Sequence, residues 1–254
     1  MSKRKIGILV PTTTHMRPWK LLRETHLYNT FLKSFLITYD REHEYIIYLI
    51  MDDDDKLYSQ ETEKKALRRF IKIMKNVTIR IISSNGIPKG WVTHMWNRAC
   101  EKAYNDGCEY FFQSGDDIKF LKKGWVNECI KQLERNNNIG LTGPLDIGRI
   151  MHGSDESKPG GSRFIQTQSF VSRKHYEIFG YYFPPEIKNW FCDDWITKVY
   201  YPKYFYQIDY HIQNVGGTPR YQVIGEIFNP DDPTFKACNR LIKEDTKKLF
   251  NFNK

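Results

Sequence analysis

The chain has 254 residues, 40% of them hydrophobic and 15% aromatic, which is long enough to bury a sizeable core and too apolar for a disordered chain. No apolar run approaches the roughly 20 residues that cross a bilayer, and Met1-Ser2-Lys3-Arg4-Lys5 leads straight into a strand-length segment, not a signal-peptide core, so a soluble, unexported, cytoplasmic protein is expected, at most peripheral to a membrane. The formal charge of +9 is dispersed along the sequence; it suits a nucleotide diphosphate, a nucleic acid or an anionic membrane face, and does not choose among them.

Ile6 to Val10 is a continuous apolar run closed by Pro11 and three threonines, the pattern of a buried strand followed by a loop. Tyr45 to Met51 repeats it and stops at Asp52-Asp53-Asp54-Asp55; Val77 to Ile82 is a third run and Tyr110 to Gln113 a fourth. Helical stripes lie between them: Ala66, Leu67, Phe70, Ile71 and Met74, then Val92, Met95, Trp96, Ala99 and Ala103. Strand and helix alternate, so a mostly parallel sheet built from right-handed βαβ units is predicted, an α/β fold whose strand ends form one polar rim.

A further helix carries Trp125, Val126, Cys129, Ile130 and Leu133, and a strand is predicted at Ile139 to Thr142. Residues 145 to 163 are rich in Gly, Ser, Lys and Asp without periodicity, which predicts a mobile loop over a site. Phe164 to Ser172 reads as a strand, Lys174 to Phe179 as a short helix ended by Gly180, and Asp194 to Tyr201 as a helix with an acidic start. Asp232-Pro233 opens a last helix carrying Cys238, Leu241, Ile242 and Leu249. No repeat or linker divides the chain, so one domain over 1–254 is expected, with halves at 1–144 and 145–254. The five cysteines, an odd number without metal-finger spacing, read as reduced buried thiols.

Within Glu109-Tyr110-Phe111-Phe112-Gln113-Ser114-Gly115-Asp116-Asp117, an apolar strand ends in two adjacent carboxylates. Neighbouring aspartates repel and raise each other's pKa unless a cation or solvent separates them, so a divalent metal at the strand end is the functional reading and a solvated Gly-Asp turn the bland one. Asp193-Asp194, flanked by Trp190, Phe191 and Trp195, forms a second pair. As a general base it would need the raised pKa that a partly apolar pocket gives; the alternative is a pair that only caps the following helix.

The order Val10-Pro11-Thr12, Asp52-Asp53, Asn97-Arg98-Ala99, Ser114-Gly115-Asp116-Asp117 and Asp193-Asp194-Trp195 resembles the GT-A glycosyltransferases, in particular the inverting family-two type, over roughly residues 5 to 200. The resemblance implies a GT-A sheet with a smaller acceptor-side C-terminal region. It also implies Mn²⁺ or Mg²⁺ as cofactor, a nucleotide-sugar donor, UDP-linked, and a glycan, protein or lipid acceptor, with no specific nucleic-acid partner. By the same resemblance Asp117 is the direct metal ligand, and Asp116 touches the ribose or a metal-bound water. Pro11, Thr12, Thr13 and Thr14 meet the nucleotide, and Arg17 approaches a phosphate.

Asp52 or Asp53 matches the carboxylate that reads the uracil or ribose edge, while Asp54 and Asp55 read as a plain solvated turn. Asn97 matches an asparagine in the helix before the metal motif, although Trp96 stands where relatives often carry arginine. Of Asp193 and Asp194 the resemblance makes one the base; Asp194 is preferred, with Asp193 positioning the acceptor. His211 either completes the metal shell or is a packed strand residue. Two other readings stay open. A sugar-phosphate nucleotidyltransferase usually has a glycine-rich basic loop where this chain has threonines, and a non-enzymatic nucleic-acid-binding protein would use the +9 charge, although no recognised binding motif appears.

Overall fold

The computed structural model describes residues 2–151, 165–217, 220–221 and 231–252. The expected apolar runs form β1 (Lys5–Thr12), β2 (Glu44–Met51), β3 (Val77–Ser83) and β4 (Tyr110–Gln113), all parallel in the order β3-β2-β1-β4. Beyond β4 the sheet turns antiparallel, through β8 (Phe170–Ser172) and then β6 (Leu141–Thr142). Side chains alternate across each strand, and both faces are covered. Ile6, Ile8, Tyr45, Ile47, Leu49, Tyr110 and Phe112 join one core cluster. Leu9, Ile46, Tyr48, Ile50 and Phe111 join the other.

The first cluster is closed by α1 (Lys33–Thr38), α2 (Glu61–Ile71) and α4 (Trp125–Glu134). The second is closed by α3 (Val92–Asn105), α6 (Lys174–Phe179), α7 (Cys192–Tyr200) and α8 (Pro233–Phe252). Gly7 lets α3 lie on the sheet: a Cβ there would sit 2.9 Å from the Ala103 Cβ, inside contact distance. All five cysteines are buried thiols. No described helix is long and apolar enough to cross a membrane.

Strand order decides where a ligand binds. From β1 the chain steps outward to β2 and β3, then returns through α3 to β4 on the other side of β1. The order therefore reverses between β1 and β4, which opens a crevice at their carboxyl ends. Thr12 lies at one lip of that crevice, and Ser114 to Asp117 at the other. A second sheet of β5 (Ile118–Phe120), β9 (His211–Asn214) and β7 (Leu145–Asp146) continues directly from Asp117 and brings the C-terminal region against this lip.

Three expectations change. Helical chain precedes and includes α1, a π-helical segment Leu27–Leu32 running into Lys33–Thr38, and it has no counterpart among the expected elements. The strand expected over 164–172 is confined to Phe170–Ser172, with Phe164 outside the described residues. Before it, Gln166 donates to the carbonyls of Pro144 and Gln168 at 2.9 and 2.7 Å, so a side chain takes up backbone acceptors that a ladder would use. The expected loop at 145–163 begins with β7 and a helix, α5 (Ile147–Met151), because Leu145 and Asp146 pair with His211 and Ile212. Residues 152–163 lie outside the described residues.

Candidate active site

At the β1–β4 crevice a cavity of about 610 Å³ gathers residues from distant parts of the chain. Pro11, Thr12, Thr13, Gly115 and Asp117 come from the two strand ends, and Asp193 and Asp194 from the start of α7. The two carboxylate pairs singled out in the sequence thus border one space. Asp146, Arg149, Trp190, Asn214, Gly216, Arg220 and Tyr221 also line it; the sequence pointed to Trp190 beside the second pair and to the stretch holding Asp146 and Arg149, and gave no role to the other four.

The first pair is divided by its surroundings. Asp116 is fully buried and accepts from the Thr12 hydroxyl at 2.6 Å and from Arg220 at 2.6 Å, with a second contact from Arg220 to its other oxygen. With the Thr12 hydroxyl, that bidentate grip takes three of roughly four acceptor positions, and removing Arg220 would strand a buried carboxylate at a cost of about 3–5 kcal/mol. Asp116, expected to touch the ribose or a metal-bound water, is 0% exposed and is not among the residues that line the cavity. Asp117 is the partner that faces it. Burial, then the charge of Asp116, push its carboxyl up to about 6 against the opposing charge of Arg220, whose nearest nitrogen is 3.7 Å away.

Two glycines cradle that carboxylate. A Cβ at Gly216 would fall 1.9 Å from one Asp117 oxygen, and a Cβ at Gly115 2.5 Å from the other. Only hydrogen at both positions leaves room for Asp117 as it stands. A hard divalent cation fits this donor chemistry: an under-compensated carboxylate opens on the cavity, and magnesium-type ions are commonly held by one or two carboxylates together with substrate phosphates. His211 is not part of that set. Asn214 lines the cavity three residues further along β9, and the odd spacing puts His211 on the opposite face of the strand. The one group of three metal-ligating side chains drawn together among the described residues is His15, Asp52 and Asp54, away from Asp117 in sequence. Lys89 bonds Asp54 and approaches Asp52 to 3.6 Å, so an ammonium already provides the positive charge there.

The threonine loop is built by a residue expected to be solvated. Asp55 is buried and accepts from the Thr14 N–H at 2.6 Å, the Thr14 hydroxyl at 2.9 Å and the N–H groups of Leu57 and Tyr58 at 3.1 and 3.0 Å. It is a clamp between the loop after β1 and the turn after β2, which corrects its reading as a plain turn residue; Asp54 is exposed as expected. Of Asp52 and Asp53, Asp53 is exposed and bonded to Ser83. Asp52 is buried, and its Oδ2 has no hydrogen-bond partner among the described residues. Arg17 reaches the Gly216 carbonyl at 3.5 Å, beside the Asp117 cradle. Ser114 is buried under the site, its carbonyl taken by the Trp96 indole at 3.2 Å, so Trp96 is a wall and not a phosphate contact.

Asn97 acts elsewhere than expected. Its amide oxygen accepts the N–H groups of Tyr182 and Phe183 at 3.0 and 2.8 Å, and its amide nitrogen donates to the Phe183 carbonyl at 2.7 Å. It does not line the cavity; it pins the segment that leads into α7. Thr93 and Asn189 add bonds to the Ile187 and Gly90 carbonyls at 2.5 and 3.0 Å, so the first turns of α3 and the residue Gly90 ahead of it hold the approach to α7. Asp245 on α8 anchors the helix itself, accepting from the Trp195 indole at 3.1 Å and the Tyr181 hydroxyl at 2.8 Å. Phe191 enters α7 with φ +71°, a left-handed conformation that is costly for a bulky side chain and turns the next residues toward the cavity.

The second pair is divided differently. Asp194 is ion-paired with Lys198 one turn along the helix at 3.2 Å, and still lines the cavity. Asp193 takes a hydrogen bond from the Cys192 thiol at 3.5 Å, and burial pushes its carboxyl up to about 7 against the opposing charge of Arg149. Titration near neutrality in a cleft is a physical marker of a functional position.

A sheet with its switch point between β1 and β4, covered by helices on both faces and carrying an acidic strand end, is a GT-A fold. No protein-family model matches the chain, and no characterised relative matches it at significant similarity. Solved structures do share the fold. S. aureus TarS aligns with a TM-score of 0.59 at 15% identity over 95% of this chain and 39% of that one. S. aureus TarS 1-349, solved in complex with UDP, aligns with a TM-score of 0.56 at 14% identity, covering 95% of this chain and 65% of that one. This chain therefore spans less than two thirds of either.

Proposed function

We propose that the chain is a metal-dependent glycosyltransferase that moves a sugar from a UDP-sugar to an acceptor hydroxyl with inversion. The observation that carries the reading is the single cavity that joins the strand-end carboxylate Asp117 to the Asp193–Asp194 pair, 76 positions or more along the chain. The UDP held by a structure of the same fold, TarS 1-349, supports the choice of nucleotide.

In this reading the Pro11-Thr12-Thr13-Thr14 loop and Asp52 meet the nucleoside, and Asp117 holds Mn²⁺ or Mg²⁺. The bound cation supplies neutralisation of the charge that gathers on the departing diphosphate. The protein groups at the crevice require such help: when Asp117 is ionised, two carboxylates face one guanidinium, and the remaining negative charge repels a diphosphate. At the acceptor side, Asp194 lines the cavity and pairs with Lys198 at 3.2 Å, and in this reading it takes the proton of the attacking hydroxyl. Asp193, still protonated at the lower edge of neutrality, donates a hydrogen bond that orients that hydroxyl. Trp190 offers an aromatic wall for the acceptor.

The test is a panel of UDP-sugars with Mn²⁺ and simple glycan acceptors, following UDP release and the anomeric configuration of the product by NMR. Mn²⁺-dependent release with an inverted product supports the reading. Retention of configuration would contradict inversion, and no release with any donor would contradict the activity.

A further inference from the structure

Arg220 is the cavity residue with the most unexpected placement. It lies 104 positions after Asp116 and two-pronged contacts join them, while the same guanidinium bonds the Thr13 carbonyl at 3.1 Å. Next to it the Tyr221 hydroxyl donates to the Thr13 hydroxyl at 3.0 Å, so residues 220–221 are fastened to the loop after β1. A guanidinium has five N–H donors in one plane. Asp116 and Thr13 account for three, and the remainder are directed neither at Asp116 nor at Thr13, on a side chain that borders the cavity and stands 3.7 Å from Asp117.

We propose that Arg220 is a direct binding residue for the diphosphate of the donor, acting beside Asp117 and oriented for that role by Asp116. The inference rests on the nucleotide-sugar reading and deepens it. Asp116 and Thr13 fix the plane of the guanidinium before a ligand arrives, so little side-chain freedom is lost on binding, and planar N–H groups suit phosphate oxygens. Asp116 is thereby a positioning residue for Arg220 and makes no contact with the nucleotide. Gly216 keeps a side chain off the same Asp117 oxygen that the guanidinium approaches.

The experiment is calorimetric titration of the full chain and its Arg220→Gln and Arg220→Lys variants with UDP and, separately, with uridine, in Mn²⁺. Uridine carries the same base and ribose but no phosphate. Loss of a charge-assisted contact predicts UDP affinity lower by about 10- to 100-fold in Arg220→Gln, with the Lys variant intermediate and uridine affinity within about threefold of wild type. Equal weakening of uridine and UDP would overturn the proposal, since it is what a purely structural anchor produces. Unchanged UDP affinity in Arg220→Gln, with wild type binding UDP, would overturn it while leaving the donor reading intact. Wild type that binds neither compound would remove the donor reading, and this inference with it.

Discussion

The two carboxylate pairs pose one electrostatic problem and receive two solutions. At Asp116–Asp117 the cation is Arg220, which is itself largely buried and grips Asp116 with two N–H groups, sealing it from the cavity. At Asp193–Asp194 the cation is Lys198, half-exposed on the outer turn of α7, and it leaves Asp194 on the cavity surface. A buried bidentate guanidinium removes a carboxylate from chemistry, whereas a half-exposed ammonium makes only a weak, solvent-screened pair with it. Each pair is left with one carboxyl whose proton is held abnormally tightly, Asp117 at about 6 and Asp193 at about 7. At the first pair that residue is the cation ligand of the proposal. At the second it is the neighbour of the proposed base.

The most severe break of this comparison is Asp194→Asn. Loss of a general base lowers kcat by about 10²–10⁴-fold, and UDP affinity should be unaffected because the first pair is intact. If Asp193→Asn is the variant without turnover and Asp194→Asn retains it, the roles within the second pair are exchanged.

A smaller effect is expected from Asp193→Asn, about tenfold in kcat, with a diagnostic dependence on pH. The folded chain binds the Asp193 proton more tightly than the unfolded chain does, its carboxyl standing at about 7 against an ordinary 3.8. Stability contributed by this group is present below the ordinary value and is lost as pH rises toward 7, since the unfolded chain ionises first. Asp193→Asn should therefore melt above wild type at pH 8, by about 2–4 °C for each kcal/mol recovered, and the difference should vanish near pH 4. Equal melting temperatures across that range would show that Asp193 ionises normally.

These assignments divide sharply in how far the sequence announces them. β1, β2 and β4 are visible because a strand buried on both faces is a continuous apolar run, the edge strand β3 is visible by its Val77, Ile79, Ile81 and Ile82, and Asp117, Asp193 and Asp194 are visible because paired acids at an element end are costly without a purpose. The helical segment through Leu27, Phe31, Phe35 and Tyr39 carries a four-residue spacing that points to a helix, obscured by its many aromatic and β-branched residues. Asp55 is hidden inside a run of four identical residues; only the contacts of Thr14, Leu57 and Tyr58 distinguish it from Asp54. Arg220 is hidden more deeply. Its role exists only because the chain returns to β1 after more than a hundred residues, and the one local sign is its place after Gly216-Gly217.

Asn97 sharpens the same lesson at the smallest scale. Asn97→Ala leaves the Tyr182 and Phe183 N–H groups without their acceptor, so it should cost about 1–3 kcal/mol of stability in denaturant titration. UDP affinity should not change, because Asn97 holds the approach to α7 and not the donor. A selective loss of UDP binding without destabilisation would return it to the nucleotide site.

The central claim is the division of labour between the two pairs, and it is tested most directly by titrating UDP in Mn²⁺ into Asp117→Asn and Asp194→Asn side by side. The account predicts that Asp117→Asn loses affinity by about two orders of magnitude, the scale of a metal contact worth several kcal/mol, and that Asp194→Asn binds UDP as wild type does while transferring no sugar. Wild-type affinity in Asp117→Asn, or a loss of binding shared equally by both variants, would contradict it.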